Sequence, residues 1–209
     1  MRVLLDNPRV RITDLRLAPG ASVRAEHPFP TVRWQVGSST HCIGGAPAIT
    51  AEDKAVQFVE ASAAWDLAVP ADEHRPWRQV LFEIKQKPRF TPAEAAARLA
   101  SAIYPTNVGT SLLLENDLVR VWDFCLEPGE GPTAPHPHVL DYCFVYVAAG
   151  RLLGYHHDGA PGLFDAVNDD GDATWVELKD DAPSDPAEAH GGKNGYDDRP
   201  MREYLVELK

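Results

Sequence analysis

The chain has 209 residues, 44% of them hydrophobic, and 31 acidic against 20 basic residues give a formal charge of −11. That balance repels phosphate backbones and anionic membrane surfaces, so neither nucleic acid nor membrane is an expected partner. No apolar stretch approaches a membrane span, MRVLLDNPRV lacks the apolar core of a signal peptide, and three cysteines without CxxC spacing indicate neither a disulfide framework nor a thiolate zinc site. A soluble, cytoplasmic protein is expected.

In chain order, the first landmark is LLDNPRVRITDLRLAPG (4–20), a short β-type run closed by Pro-Gly. It returns as LLENDLVRVWDFCLEPG (113–129), at a constant offset of 109. A second landmark, RPWRQVLFEIK (75–85), returns as RPMREYLVELK (199–209) at an offset of 124, with six of eleven positions identical. Two aligned ends in one order mark an internal duplication. The second copy is longer by 15 residues, which fall in the Gly/Asp/Pro-rich region 158–198. Between the copies, Thr91-Pro92-Ala93-Glu94 has capping-box spacing with proline at the first helical position, and the Ala-rich run that follows predicts a helix ending before Pro105. Within each copy, short apolar runs broken by Pro-Gly, Gly-Gly and Asp-Gly predict an antiparallel sandwich or barrel. The chain divides into an N-terminal β domain (1–88), a helical linker (89–110) and a C-terminal β domain (111–209).

The chemistry concentrates in the second copy. His136 and His138 stand two residues apart before the aromatic and β-branched run 142–147. In an extended strand, residues i and i+2 share a face, so both imidazoles and Tyr142 would point one way, while Asp141 faces the other. Later in the chain His190 precedes Asn194 by four residues. The other histidines have plainer readings. His156 and His157 lie in the hairpin-like GYHHDGAPG, His41 in a Ser/Thr/Gly-rich turn and His74 in a charged one, all expected at the surface.

The order Asn-x-x-Val-Arg-Val, Pro-Gly, His-x-His, a closing Gly150 and a late His-x-x-x-Asn resembles the cupin superfamily, and two copies resemble a bicupin. The resemblance implies an all-β fold of two tandem jelly-roll barrels. It implies one divalent transition metal per chain held by His136, His138 and His190, with Fe favoured and Zn, Ni or Mn possible. The glutamate that metal-binding cupins carry four residues after the His-x-His pair is here Tyr142, which becomes a candidate catalytic hydrogen-bond donor. Three imidazoles are nonetheless an adequate ligand set that leaves positions open, and some cupins, the thiol dioxygenases among them, use three histidines alone. The expected function is that of a metal-dependent enzyme on a small, carboxylate-like organic substrate. Dioxygenase chemistry stands ahead of lyase or isomerase chemistry, and the alternative is a non-catalytic ligand-binding or sensor protein. Arg120 or Arg202 could meet the carboxylate, and Phe144, Val121, Leu126 and Leu205 would exclude water. A monomer or homodimer is expected.

In the first copy the same offset puts His27, Phe29 and Arg33 where the second has His136, His138 and Tyr142, and the later offset puts Asp66 at the place of His190. One histidine cannot hold a catalytic metal, so a degenerate, metal-free, structural domain is expected there.

Overall fold

The computed structural model describes residues 1–178 and 188–209. Two compact units partition the chain, Met1–Lys87 and Pro88–Lys209. Unit 1 comprises β1 (Arg2–Asp6), β2 (Val10–Leu17), β3 (Ser22–His27), β4 (Thr31–Gln35), β5 (Ser39–Ile43), β6 (Ile49–Ala51), β7 (Val56–Val59), β8 (Ser62–Ala68) and β9 (Trp77–Ile84). Unit 2 begins with helix α1 (Pro92–Ser101). Its strands are β10 (Ser111–Glu115), β11 (Val119–Leu126), β12 (Asp141–Tyr146), β13 (Gly150–His156), β14 (Pro161–Asn168), β15 (Ala173–Val176), β16 (His190–Asn194) and β17 (Met201–Leu208).

The duplication is explicit in the strand order. Unit 1 has one sheet β1-β2-β9-β4-β7, and unit 2 repeats it as β10-β11-β17-β12-β15. Facing these are β3-β8-β5-β6 in unit 1 and β14-β13-β16 in unit 2. The two landmarks that reveal the repeat in sequence are therefore hydrogen-bonded neighbours in space. Val10 pairs with Ile84 through to Leu17 with Trp77, and Val119 with Leu208 through to Leu126 with Met201.

The repeated polar residues have repeated work. Asn7 Oδ1 accepts from the amides of Arg9 and Val10, and Asn116 Oδ1 from those of Leu118 and Val119, which closes the turn into the second strand of each copy. Lys85 Nζ donates to Asp6 and to the Asn7 carbonyl, as Lys209 Nζ does to Glu115 and the Asn116 carbonyl. Arg78 pairs with Asp14 at 3.0 Å and Arg202 with Asp123 at 2.9 Å. Gly20 and Gly129 take positive φ, +77° and +67°, where a side chain would be strained.

Apolar side chains of the two sheets meet within each unit. Leu15, Trp77 and Leu81 pack on Leu67 and Val69 in unit 1, and Phe124, Leu126, Tyr146 and Met201 pack on Leu152 in unit 2. The expected closed barrels are not formed among the described residues, because the sheets remain separate. In unit 2 the reason is local. The segment Thr133-Ala134-Pro135-His136-Pro137-His138 aligns with the end of β3, but its prolines remove backbone donors, and only an isolated bridge between His136 and His190 survives. The expected strand through His136 and His138 is thus a proline-interrupted segment.

Helix α1 carries the anticipated cap. Thr91 Oγ1 accepts from the Glu94 amide, and the Glu94 carboxylate accepts from the Thr91 amide. Ala95 and its neighbours Phe90, Leu99 and Ala102 pack on Val139 and Leu140, inside unit 2. Arg89 donates to the fully buried Asp141 and to the Leu178 carbonyl, both at 2.8 Å. Among the described residues no helix is long and apolar enough to cross a membrane. Arg89→Met is expected to destabilise unit 2 by about 3 kcal/mol, read by denaturant unfolding, because it strips a buried carboxylate of its charged partner.

Candidate metal centre

The bridge between His136 and His190 builds the site. His136 N donates to the His190 carbonyl at 3.0 Å and His190 N returns the bond at 3.1 Å, so the two side chains start from adjacent backbones. Two glycines make that approach possible. A Cβ on Gly191 would strike the Thr133 carbonyl oxygen, and one on Gly192 would lie 2.8 Å from Leu152 Cδ1. His138 follows His136 across Pro137 and swings its ring into the same cluster, with ring centroids 5.2–5.5 Å apart among the three histidines. One ring nitrogen of each lies within 4.8 Å of the others, a spacing at which one ion could take all three.

The hydrogen bonds fix which nitrogen is offered. His136 Nδ1 faces the Ala134 carbonyl and His190 Nδ1 the Glu188 carbonyl, each at 3.1 Å. A carbonyl only accepts, so both Nδ1 atoms carry the proton and both Nε2 atoms keep a lone pair. Burial, with the charge of the neighbouring imidazoles, pushes His136 down to about 4 and His138 well below the ordinary histidine value. Those two rings are neutral at pH 7, as a ligand must be. His138 Nδ1 is buried with no partner, an unpaid polar atom beside a donor cluster. Three imidazole nitrogens suit Fe, Zn, Ni or Mn, so the residues fit a divalent transition metal.

The cluster opens on a cavity of about 390 Å³ between the two sheets of unit 2. Phe124, Phe144, Leu152, Phe164, Val176 and Leu205 supply much of its apolar lining. Tyr142 stacks on His138, centroids 3.9 Å apart at 16°, and Phe164 meets His190 edge-on at 5.9 Å. The rings are thus held from outside the cluster. Burial, reinforced by Glu203 and Glu207, pushes the Tyr142 phenol up to about 12, so it keeps its proton and can donate. Asn194 does not enter the site; its side-chain amide donates to the carbonyls of Leu126, Glu127 and Arg199.

Several expectations need correction. Neither Arg120 nor Arg202 lines the cavity: Arg120 pairs with Glu207 at 2.9 Å and Arg202 with Asp123 at 2.9 Å. Val121 and Leu126 are likewise absent from its wall, whereas Phe144 and Leu205 are present. His41 is buried on β5 and tilts over Trp77 at 5.7 Å, because the stretch read as a turn is a pleated strand whose alternate residues point inward. His156 and His157 are half-buried rather than exposed, and His157 packs near Tyr104. His74 is exposed as anticipated.

The residue that sequence reasoning missed is Glu203. It is 3% exposed, lines the cavity, and shares a hydrogen bond with Tyr146. Burial pushes it up to about 7. The signal lay in strand alternation: Met201, Glu203, Leu205 and Glu207 share one face, and a carboxylate beside Leu205 on a core face is anomalous.

Register also redraws the comparison with unit 1. Tyr142 stands opposite Glu207, and at the equivalent place Thr31, not Arg33, stands opposite Glu83. Arg33, opposite Leu81, is the counterpart of Phe144, opposite Leu205. His27 pairs with Ser62 as His136 pairs with His190, so the register partner is Ser62 and not Asp66, which is exposed and faces Arg24 at 3.9 Å.

No protein-family model matches the sequence, and no curated protein sequence matches it. Solved structures do match in fold. AerE from Microcystis aeruginosa superposes over 100% of this chain and 96% of its own, with a TM-score of 0.58 at 9% identity. Oxalate decarboxylase from Bacillus subtilis, whose Mn(II) centres are the subject of that structure, covers 96% of this chain and 69% of its own, with a TM-score of 0.53 at 12% identity. A cupin 2 conserved barrel domain protein from Leptotrichia buccalis aligns over 100% of this chain and 88% of its own at 15% identity, with a TM-score of 0.48. These likenesses concern the fold.

Two outcomes follow from the geometry. Gly191→Ala should pry the Thr133 segment from β16 and weaken metal binding at least tenfold in a calorimetric titration, while the far-ultraviolet circular dichroism of the protein is retained. Glu203 binds a proton more tightly folded than unfolded, so its contribution to stability falls as pH rises from about 4.5 through about 7. Glu203→Gln should therefore gain stability over the wild type at pH 8, by an amount on the order of 3 kcal/mol, and little at pH 4, read by denaturant unfolding.

Proposed function

We propose that this chain, a cupin by fold, is a metal-dependent enzyme whose C-terminal unit acts on a small, largely apolar organic molecule. One observation carries the reading: three histidine nitrogens within 4.8 Å of one another at the wall of a 390 Å³ apolar cavity that also holds a buried carboxyl group. His136, His138 and His190 would hold the ion, with Fe(II) the first choice and Mn, Ni or Zn served by the same donors. Such a metal would polarise a substrate oxygen and, if iron, would supply electrons for dioxygen chemistry.

The protein's own residues do the rest. Phe124, Phe144, Phe164, Leu152 and Leu205 exclude water from the reacting groups and strengthen every polar contact made there. The Tyr142 hydroxyl donates a hydrogen bond to substrate. With no cationic side chain in the wall among the described residues, a substrate carboxylate has no arginine to meet there, which favours a neutral or weakly acidic molecule bound through oxygen.

Dioxygenase chemistry is the leading form of this reading, supported by a ligand cluster that contains no carboxylate among the described residues. A second form, lyase or isomerase chemistry, is favoured by Glu203. Held near 7 and hydrogen-bonded to Tyr146, it can take or give a proton at neutral pH. A metal-binding protein without catalysis is the remaining outcome.

The test begins with metal analysis of untagged wild type and His138→Ala. About one metal per chain is expected in the first and none in the second. Anaerobically Fe(II)-loaded protein is then offered a panel of small carboxylates, thiols and β-diketones. Oxygen uptake that His190→Ala abolishes and Glu203→Gln reduces less than about tenfold supports the dioxygenase. Product formed without oxygen, with a loss of about 10²- to 10⁴-fold in Glu203→Gln, supports proton transfer. Metal without turnover on any member leaves the binding protein.

A further inference from the structure

Unit 1 holds a buried cation that no carboxylate among the described residues neutralises. Arg33 on β4 is 7% exposed, and among the described residues no carboxylate lies within the 4.0 Å of an ion pair. On the same face of the sheet, Glu83 is engaged with Arg11 at 3.7 Å, and Asp14, which pairs with Arg16 and Arg78, lies on the opposite face. Of the five N–H donors on a guanidinium, one has a protein acceptor, Nε to Gln79 Oε1 at 3.3 Å. The guanidinium lies 4.0 Å over the Trp65 ring. That contact offsets some of the lost hydration but satisfies no N–H.

The surroundings are short of acceptors too. His27 stacks on the same Trp65 at 5.3 Å, and both its ring nitrogens are buried without a partner among the described residues. Trp65 Nε1 and His41 Nδ1 are unpartnered in the same way. Burial and the Arg33 charge push His27 down to about 4 and His41 below its ordinary value, so at pH 7 both are neutral and Arg33 is the single charge. Buried polar groups of this kind are normally paired, and an unpaired buried charge is the most costly of them. A neutral ring can give one N–H, an indole gives one, and a guanidinium gives a planar fork. The set lacks one thing, an anionic acceptor.

We infer that unit 1 is a binding site for a small carboxylate, held by the Arg33 fork with His27 donating beside it. Planar carboxylate oxygens match the two parallel N–H bonds of a guanidinium, which a spherical ion cannot do. A cavity of about 360 Å³ is bordered by His27 and by Leu81, the register partner of Arg33, while Arg33 itself stays outside its wall. The repeat sharpens the contrast. At the positions of Arg33 and Gln79, unit 2 has Phe144 and Glu203. The expected structural domain is therefore a second site, of opposite charge preference to the first.

The test uses the full chain at pH 7 and constant ionic strength, titrated calorimetrically with acetate, benzoate and inorganic phosphate. Acetate or benzoate should bind one saturable site per chain, with affinity kept in His138→Ala and weakened at least tenfold in Arg33→Met. The same carboxylate should raise the melting temperature of wild type and not of Arg33→Met. Without any carboxylate, Arg33→Met should melt above wild type, since a buried charge without a partner has been replaced by an apolar side chain. Should that variant not fold, Arg33→Lys keeps the charge, loses the fork and should bind at least tenfold more weakly. No saturable carboxylate binding by wild type overturns the inference. So do equal affinity in the Arg33 variants, loss of binding in His138→Ala, or binding of phosphate alone.

Discussion

The ladder between β11 and β17 is the constraint on which the candidate metal centre and its cavity depend. Eight consecutive pairs fix the register, so Glu203, Leu205 and Glu207 must present themselves at set positions on the cavity face. β12 then pairs with the other edge of β17, which puts Tyr146 opposite Glu203, Phe144 opposite Leu205 and Tyr142 opposite Glu207. A one-residue slip would turn all of these side chains to the other face. Two salt bridges, Lys209 to Glu115 and Arg202 to Asp123, add to that register. The first is partly exposed and weak alone, so its value lies in excluding neighbouring registers, whereas Asp123 is 2% exposed and relies on Arg202 as a buried partner.

Much of this was legible before any coordinates. The duplication, the capped helix and the β class follow from periodicity, turn residues and spacing, and the grouping of the three histidines follows from the resemblance to cupins. The features that escaped are those that pleating and tertiary packing decide. His41 lies among Ser, Thr and Cys, a composition that reads as a turn but here forms a strand whose inward face happens to carry the imidazole. The segment at His136 fails as a strand because Pro135 and Pro137 cannot donate, yet His138 reaches the cluster all the same. Arg33 could not be matched by counting from the N-terminal landmark, since the copies differ by two residues between Gly20 and β4 relative to Gly129 and β12; the ladder partners decide it. Glu203 was visible as an acid on an apolar face, but which apolar face bounds a cavity is a property of two sheets together.

Two copies of one unit have kept their ladders and exchanged their interiors. Three matching polar pairs, Asn7 with Asn116, Asp14 with Asp123 and Lys85 with Lys209, serve turns or ion pairs that tie neighbouring strands. Several residues that differ face inward, among them Arg33 against Phe144 and Gln79 against Glu203. Such a division follows from how a sheet is built. Backbone hydrogen bonds and edge ion pairs set the frame whatever the inward side chains are, so interior positions can change chemistry at the cost of packing alone.

The charge of each interior then decides what it can hold. In unit 2 the cluster comprises imidazoles and the nearby ionisable groups are Glu203 and Glu207, with Arg120 spent on Glu207. A divalent cation entering there meets lone pairs and partial negative charge. In unit 1 the guanidinium of Arg33 repels a cation from the one histidine that remains, and Ser62 stands in register where a third ligand would have to be. Restoring a histidine opposite His27 would not by itself recreate a metal centre, because the Arg33 charge would still oppose the ion at short range in a poorly solvated interior. Loss of the ligands and gain of the arginine are therefore one change in electrostatic sign, and it separates the two units more sharply than any difference in their strands.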